Sequence, residues 1–193
     1  MHLKYQWKEK IEWVIKAMLH KLVQNLLIHL QENLIQIFIN LMYKEFLEHL
    51  EHREGNVDHV YLDSLGKPTC GVGHLLTETE RTQYNVGEEV EQHTRDAWLE
   101  QDAQKAWDAA AQQLQDLNIE KPEFIIALGS VNFQLGTQWI NKFPSAYQAL
   151  LNKDYAEAIK QVSTGSGKDG QSKWKEQTPV RVEDFIEAID KLT

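Results

Sequence analysis

The sequence predicts a mainly α-helical protein with one small antiparallel β-sheet. Apolar residues recur at intervals of three and four through most of the chain, which is typical of helices. Residues 56–76 differ, because strand-forming residues such as Val57, Val60 and Tyr61 are followed by a turn at residues 65–68. The glycines that alternate after that turn favour a short return strand.

Helical patterns precede and follow this predicted sheet. Residues 92–116 are expected to form one long helix, because Trp98, Leu99 and Trp107 recur at helical spacing. Thr77 and Glu80 fit a capping box at a helix start, since they stand three residues apart. The glycine-rich residues 164–170 predict a flexible loop.

The composition is that of a globular protein of 193 residues, with 42% hydrophobic and 25% charged residues. These values exclude a disordered chain, a collagen and a disulfide scaffold. The net charge of −9 argues against a nucleic-acid binder, because the chain would repel phosphate. Cys70 is the single cysteine, and the eight histidines show no metal-ligand spacing, so we expect no metal and no cofactor.

A change of composition near Met42 predicts two regions: a helical extension over residues 1–42 and a catalytic domain over residues 43–193. The extension contains five lysines and three glutamates, a net charge of +2, so the rest of the chain carries −11. It also contains no glycine, proline, aspartate or arginine. Its regular pattern suggests a segment appended to a shorter protein, either naturally or by engineering.

Apolar residues between Ile11 and Leu41 predict a long amphipathic helix in this extension. Three interpretations stay open for its apolar face. It packs on protein (itself, the rest of the chain or a second copy), it lies on a membrane surface, or it serves as a signal-anchor. If it packs on protein, the helix either breaks near residues 31–33 and folds back, or stays straight and pairs with another copy.

Two carboxylates and a threonine frame the predicted sheet. Glu54 ends the preceding helix, Asp63 follows nine residues later on the hairpin, and Thr69 follows six residues after that on the return strand. Glycosidic bond cleavage requires two carboxyl groups in different settings, one as acid and one ionised. A bare Glu–Asp pair is common on protein surfaces, so the spacing alone leaves a structural interpretation open.

The complete strings around these residues resemble the T-even-phage-type lysozymes, glycoside hydrolase family 24. The catalytic hairpin of that family is matched by Glu54-Gly55, Tyr61-Leu62-Asp63, Gly66, Thr69 and the run from Gly71 to Thr77. Two later strings match in the same order: Phe133-Gln134-Leu135-Gly136, and Trp174 with Gln177-Thr178-Pro179 and Arg181. The resemblance covers residues 43–193 and leaves the extension unmatched.

This resemblance implies a two-lobed lysozyme-like fold and a muramidase. The family hydrolyses the β-1,4 bond between N-acetylmuramic acid and N-acetylglucosamine in peptidoglycan, with inversion and without a metal or other cofactor. By resemblance Glu54 is the general acid, while Asp63 and Thr69 position and activate the attacking water. We further expect the Thr69 hydroxyl to donate to Asp63 and to accept from that water.

The resemblance implies two further groups of residues. It pairs His74 with Asp102 on the long helix as a structural ion pair. It also assigns substrate contacts in the cleft, at Leu75, Phe133, Gln134 and Gln161.

The leading interpretation is therefore an endolysin, a bacteriolytic enzyme that acts on peptidoglycan strands. We expect it to be made in the host cytoplasm and to reach the periplasm and cell wall after the membrane is permeabilised. The alternative is a lysozyme body that serves as a scaffold for an oligomerising or membrane-active N-terminal helix. In that case residues 1–42 make a homo-oligomer or a membrane-surface contact.

Overall fold

A computed structural model describes the backbone of residues 2–165 and 167–193, and the side chains of residues 13–165 and 167–193. The side chain of Ile11, which we predict to belong to the apolar face of the helix, is outside the described residues. Ser166 of the predicted loop is also outside them. Within them, the mainly α-helical class with one small antiparallel sheet is confirmed. The helices are α1 (His2–Glu54), α2 (Gln92–Asp116), α3 (Phe124–Leu135), α4 (Trp139–Lys142), α5 (Pro144–Leu151), α6 (Tyr155–Ser163), α7 (Lys173–Gln177) and α8 (Pro179–Asp190). The strands are β1 (Val57–Leu62), β2 (Pro68–Gly71) and β3 (His74–Leu75).

The chain divides by its internal contacts into two compact units, Met1–Leu41 and Met42–Thr193. The division falls beside the composition change near Met42. Its functional meaning, an extension and a catalytic domain, stays a prediction.

The first unit is helical throughout its described residues. Every side chain from residue 13 to residue 41 is exposed in the single chain. The helix continues through residues 31–33, so the break considered there is absent. Consecutive apolar residues occur at 13–15, 26–28 and 37–39, and neighbours on a helix point about 100° apart. The apolar surface is therefore wider than one narrow stripe.

No helix within the described part of the chain combines the length and the hydropathy needed to span a membrane.

The second unit contains every buried apolar residue of the described structure. The last turns of α1 belong to it, because Met42, Phe46 and Leu50 enter its main core at helical spacing. The last turns of α1 lie close to α3, because a Cβ added at Gly129 would stand 2.8 Å from the ring of Phe46. A smaller cluster of Val60, Cys70, Leu76, Val90 and Trp98 lies beneath the sheet.

A buried polar network ties α2, α3 and α4 together inside this core. Gln113 and Asn132 exchange hydrogen bonds of 3.1 and 3.0 Å, and the indole of Trp139 donates to Gln113 at 3.1 Å. Each buried amide therefore has partners, which avoids the cost of an unsatisfied buried group.

The long helix predicted over residues 92–116 is α2 with the same bounds. It ends because Asn118 takes a left-handed conformation (φ 49°). The amide of Asn118 then donates to the Gln115 carbonyl, and that of Ile119 to the Leu114 carbonyl, which is a Schellman motif. α5 and α8 each begin with proline in the first turn, where its fixed φ suits a helix and its missing N–H costs no hydrogen bond.

The sheet has the order β1-β2-β3 and is antiparallel throughout. Tyr61 pairs with Thr69, and Thr69 pairs with Leu75. Directly opposite residues share a face of an antiparallel sheet. Tyr61, Thr69 and Leu75 therefore form one row across the three strands.

Candidate active site

Glu54 is the last residue of α1, and Gly55 ends the helix. Gly55 has φ 73°, a left-handed conformation that glycine adopts without strain, and its amide donates to the Glu51 carbonyl. The chain then turns directly into the sheet. Glu54 is thereby fixed at the junction of helix and sheet, with its side chain 26% exposed.

The Glu54 carboxylate forms an ion pair with Arg181 of α8. A negative charge is unfavourable at a helix C-terminus, and a positive charge is unfavourable in the first turn of a helix. Glu54 and Arg181 occupy those two positions, so each charge offsets the unfavourable placement of the other. Burial lowers the pKa of Arg181, and the charges of Glu54 and Asp184 oppose that effect.

A second ion pair joins the same two helices, because Arg53 donates to Asp184 at 2.7 Å. Neighbouring residues at the end of α1 thus bind residues one turn apart on α8. The two pairs hold the end of α1, and with it Glu54, against α8.

Asp63 follows β1 and organises the turn into β2. Its Oδ1 accepts from the amides of Leu65 and Lys67, both at 2.8 Å, which makes an Asx-type turn. Gly66 has φ 73°, and its amide donates to the Asp63 carbonyl. Asp63 therefore has a structural role as a turn residue, and that role occupies only one of its two carboxylate oxygens.

Thr69 is buried on β2, and its hydroxyl donates to the Lys67 carbonyl at 3.1 Å. The expected donation from Thr69 to Asp63 is wrong for this structure. The reason is local, because the turn brings the carbonyl two residues earlier within reach of the hydroxyl. The Thr69 oxygen keeps its lone pairs for a further donor.

The charges of both carboxylates act on the phenol of Tyr61. Burial raises the pKa of Tyr61, and the charges of Glu54 and then Asp63 raise it further. Both carboxylates are therefore within electrostatic range of one phenol.

His74 binds two carboxylates. Its Nδ1 lies 2.6 Å from Asp102 Oδ2, the contact expected from the sequence, and its Nε2 lies 3.1 Å from Glu80 Oε2. The ring also stacks on Trp98, with centroids 4.6 Å apart. Carboxylates only accept hydrogen bonds, so an imidazolium with two N–H donors matches this site.

Glu80 also completes the predicted capping box. Its carboxylate accepts from the amide and the hydroxyl of Thr77, both at 2.7 Å, while its own amide donates to the Thr77 hydroxyl at 3.3 Å. The helix that follows is only one 3₁₀ turn, Glu80–Thr82. The motif therefore serves to position Glu80 beside His74.

The pKa directions of this cluster predict a stability maximum at mildly acidic pH. Burial alone would lower the pKa of His74, but the hydrogen bonds and charges of Asp102 and Glu80 raise it. Burial alone would raise the pKa of Asp102, but the bond and charge of His74 lower it. The His74 contribution is lost as pH rises through its raised pKa, and the Asp102 contribution is lost as pH falls through its lowered pKa.

We expect Asp102→Asn to lower the free energy of unfolding by about 1.5–3 kcal/mol, because it removes a charge-assisted hydrogen bond. The loss should be largest in the mildly acidic window and smaller at either side. Chemical denaturation across pH measures it, with Asp96→Asn on the exposed face of α2 as control. An equal loss at every pH would contradict a titrating His74–Asp102 pair.

Among the described residues, no hydrogen bond joins the four residues assigned to substrate contacts to one another. Leu75 is exposed on β3, and Phe133 is partly buried against the main core. Gln134 accepts from the indole of Trp174 at 2.8 Å, and Gln161 donates to Glu157 at 2.6 Å. Gln134 and Gln161 therefore already have structural partners, which leaves their substrate role a prediction.

Gln161 also lines an open groove of about 320 Å³ beside α5 and α7. Phe143, Ala146 and Trp174 line the same groove. This groove offers apolar and amide surface for a ligand in the part of the protein where a cleft contact is expected.

Two features of the site are not evident from the sequence. The sequence indicates Tyr61 only as a strand former within a matched string, and it does not indicate that Arg181 binds Glu54. The Glu54–Arg181 pair spans 127 residues, so no local spacing could have indicated it. Among the described residues, no group of three or more His, Cys, Asp or Glu side chains is arranged to hold a metal ion.

A family match covers the part of the chain that contains most of this site. The sequence matches the Phage lysozyme family over residues 51–177, which is more than half of the chain. The match includes Glu54, Asp63, Thr69 and the His74 cluster. A search of curated proteins finds no match. The chain belongs to the phage lysozyme family and is a lysozyme that breaks down peptidoglycan.

Proposed function

We propose that this lysozyme is an N-acetylmuramidase that acts with inversion. Its bond is the β-1,4 linkage between N-acetylmuramic acid and N-acetylglucosamine. The observation that carries the proposal is the placement of the two carboxylates, with Glu54 at the junction of α1 and the sheet and Asp63 at the turn that follows β1. Glu54 ends a helix and binds Arg181, whereas Asp63 heads a turn, so the two carboxyl groups stand in different settings.

In the proposed reaction Glu54 is the general acid. It gives its proton to the glycosidic oxygen as the bond from that oxygen to the anomeric carbon breaks. A water adds its oxygen to the opposite face of that carbon, and Asp63 takes the proton that the water releases. An inverting site holds its carboxyl groups about 6.5–9.5 Å apart to admit this water.

Asp63 and Thr69 are suited to hold that water. The turn occupies Oδ1 of Asp63 with two amides, which fixes the carboxylate plane and leaves Oδ2 for the water. The Thr69 hydroxyl donates a hydrogen bond to the Lys67 carbonyl, so its oxygen keeps lone pairs with which it would accept from the water. Arg181 is a positioning residue, because it holds the Glu54 carboxylate at the helix end.

The products test this proposal. We expect digestion of purified peptidoglycan to release fragments with N-acetylmuramic acid at the reducing end, first formed as the inverted anomer. Mass spectrometry identifies the end sugar, and proton NMR in the first minutes identifies the anomer. Reducing-end N-acetylglucosamine would overturn the bond assignment, a retained anomer would overturn inversion, and a 1,6-anhydro product would overturn attack by water.

An endolysin role follows from this activity. The enzyme would be made in the host cytoplasm and would reach the wall after a partner permeabilises the membrane. Peptidoglycan strands would be its substrate there.

A second function, self-association, is favoured by a specific feature of the first unit. Six exposed side chains repeat with alternating steps of four and three, and each is 49–65% exposed. This spacing is the seam of a coiled coil, in which a second helix covers such a row. The partner we propose is the same helix of another copy. The six residues are Val23, Leu27, Leu30, Leu34, Ile37 and Leu41.

A membrane surface is the competing partner for the same side chains. Lys16 and Lys21 would favour anionic lipid, and Trp13 suits an interface. The polar positions from residue 24 to residue 40 are nevertheless mostly uncharged glutamine and asparagine. A strongly charged polar face is typical of helices that lie on membranes, so pairing between copies is the better supported alternative.

A further inference from the structure

A cavity of about 410 Å³ lies within the second unit, between the end of α1, α3 and α8. Phe124, Val131 and Phe185 give it an apolar floor, and all three are buried in the main core. Glu54 does not line it, although its partner Arg181 does. The volume lies in the lower part of the range found for small-molecule sites, about 300–1,000 Å³.

Arg181 brings an incompletely paired cation to this cavity. Its side chain is only 6% exposed, and Nη2 binds Glu54. Nε and Nη1 are buried without a hydrogen-bond partner among the described residues. Leaving a buried donor unpaired costs about 1–3 kcal/mol, and more for a charged group. An acceptor placed in the cavity would relieve that cost.

Asp184 contributes a buried acceptor that lacks a hydrogen-bond donor among the described residues. Its Oδ1 accepts from Arg53, while Oδ2 is buried without a partner in the described structure. Asp184 lines the same cavity one helical turn after Arg181. Residues three apart on a helix have Cβ atoms about 5–6 Å apart. A donor and an acceptor without partners in the described part of the chain therefore lie close together in two residues of the cavity wall.

The other charged side chains that line the cavity sum to a net charge of zero. Lys121 and Lys191 stand against Glu45 and Glu123, all exposed at the mouth. Burial and the nearby charge of Arg181 lower the pKa of His49, so this side chain adds no charge at neutral pH. A ligand with a net charge is not attracted by a lining whose charges cancel. A ligand that carries one positive and one negative group can pair each group with an opposite charge of the lining.

We propose that this cavity binds a small zwitterion with an apolar body, of the class of the aliphatic and aromatic α-amino acids. The carboxylate accepts from Arg181, the ammonium donates to Asp184, and the side chain lies on the floor formed by Phe124, Val131 and Phe185. The site shares Arg181 with the proposed catalytic arrangement, but its binding is measurable without any lysis assay.

The test compares three probes on the full chain by calorimetric titration. L-leucine carries both charges, 4-methylpentanoate lacks the ammonium, and 3-methylbutylamine lacks the carboxylate. We expect leucine to bind at one site and each truncated probe to bind at least about tenfold more weakly, since each loses a hydrogen bond to a charged group. Equal binding of all three probes would overturn the zwitterion, and no saturable leucine binding would overturn the site.

Ala188→Leu locates the binding, because Ala188 lines the cavity on α8 and a larger side chain there occupies the ligand's space. Ala111→Leu, on the exposed face of α2, is the matched control. We expect the first variant to lose leucine binding at least tenfold and the second to keep it. Thermal unfolding of both variants checks that they are folded. Unchanged binding to a folded Ala188→Leu variant would overturn this location.

Discussion

Glu54→Gln is expected to reduce lysis by about 10²–10⁴-fold, because glutamine keeps the shape of the side chain but has no acidic proton for the leaving sugar. The measurement is clearing of a suspension of permeabilised Gram-negative cells. Intact cells should stay turbid with the wild-type enzyme, as the proposed localisation requires. The glutamine carbonyl can still accept from Arg181, so the junction of α1 and α8 is retained.

The variant also separates catalysis from stability. Losing the charge partner of a buried guanidinium should cost about 1–3 kcal/mol of unfolding free energy, which leaves the protein folded at room temperature if its stability is ordinary. Glu51→Gln is the matched control, since Glu51 is an exposed glutamate one turn earlier in the same helix. Lysis by Glu54→Gln within about threefold of wild type would remove Glu54 from the proposed mechanism.

The sequence predicted well those features that depend on neighbouring residues. The bounds of α2 follow from apolar periodicity, and the hairpin follows from strand formers around a glycine turn. The Thr77–Glu80 reciprocal bonds follow from one residue spacing. Apolar periodicity alone does not identify the family. The resemblance depends on complete strings of matching residues.

The sequence could not supply the features that arise between distant residues. Glu54 and Arg181 meet only because α8 packs against the end of α1. Glu80 becomes a second partner of His74 because a capping motif stops after one turn. The Thr69 hydroxyl binds Lys67 rather than Asp63, since the turn offers a nearer carbonyl. Each outcome depends on tertiary geometry that spacing does not encode.

The long helix presents a different problem from the site. Its helical state is evident from sequence, because residues 1–42 lack any helix-breaking glycine or proline. What covers its apolar residues is not evident, since a row of leucines satisfies a second helix and a lipid surface alike. The three-four spacing from Val23 to Leu41 supports our proposal of a second helix, because knobs-into-holes packing needs that spacing.

Deleting residues 1–41 is expected to convert a self-associating protein of 22.4 kDa subunits into a folded, active monomer. The buried core of the described structure lies wholly within residues 42–193, so the shortened chain keeps its packing. The deletion removes the six seam residues that we expect to hold copies together. Light scattering with size-exclusion chromatography measures the mass, and cell clearing measures the activity.

Paired substitutions show whether the seam itself is responsible. Leu27→Gln with Leu34→Gln places two amides in the seam and should yield a monomer, because burying them against a second helix is costly. Leu26→Gln with Ile35→Gln is the matched control outside the seam, and it should stay associated. A monomeric full-length chain would contradict pairing, and its binding to anionic phospholipid vesicles would then favour the membrane surface. If the shortened chain unfolds, the first unit is required for the fold and the boundary near Met42 is wrong.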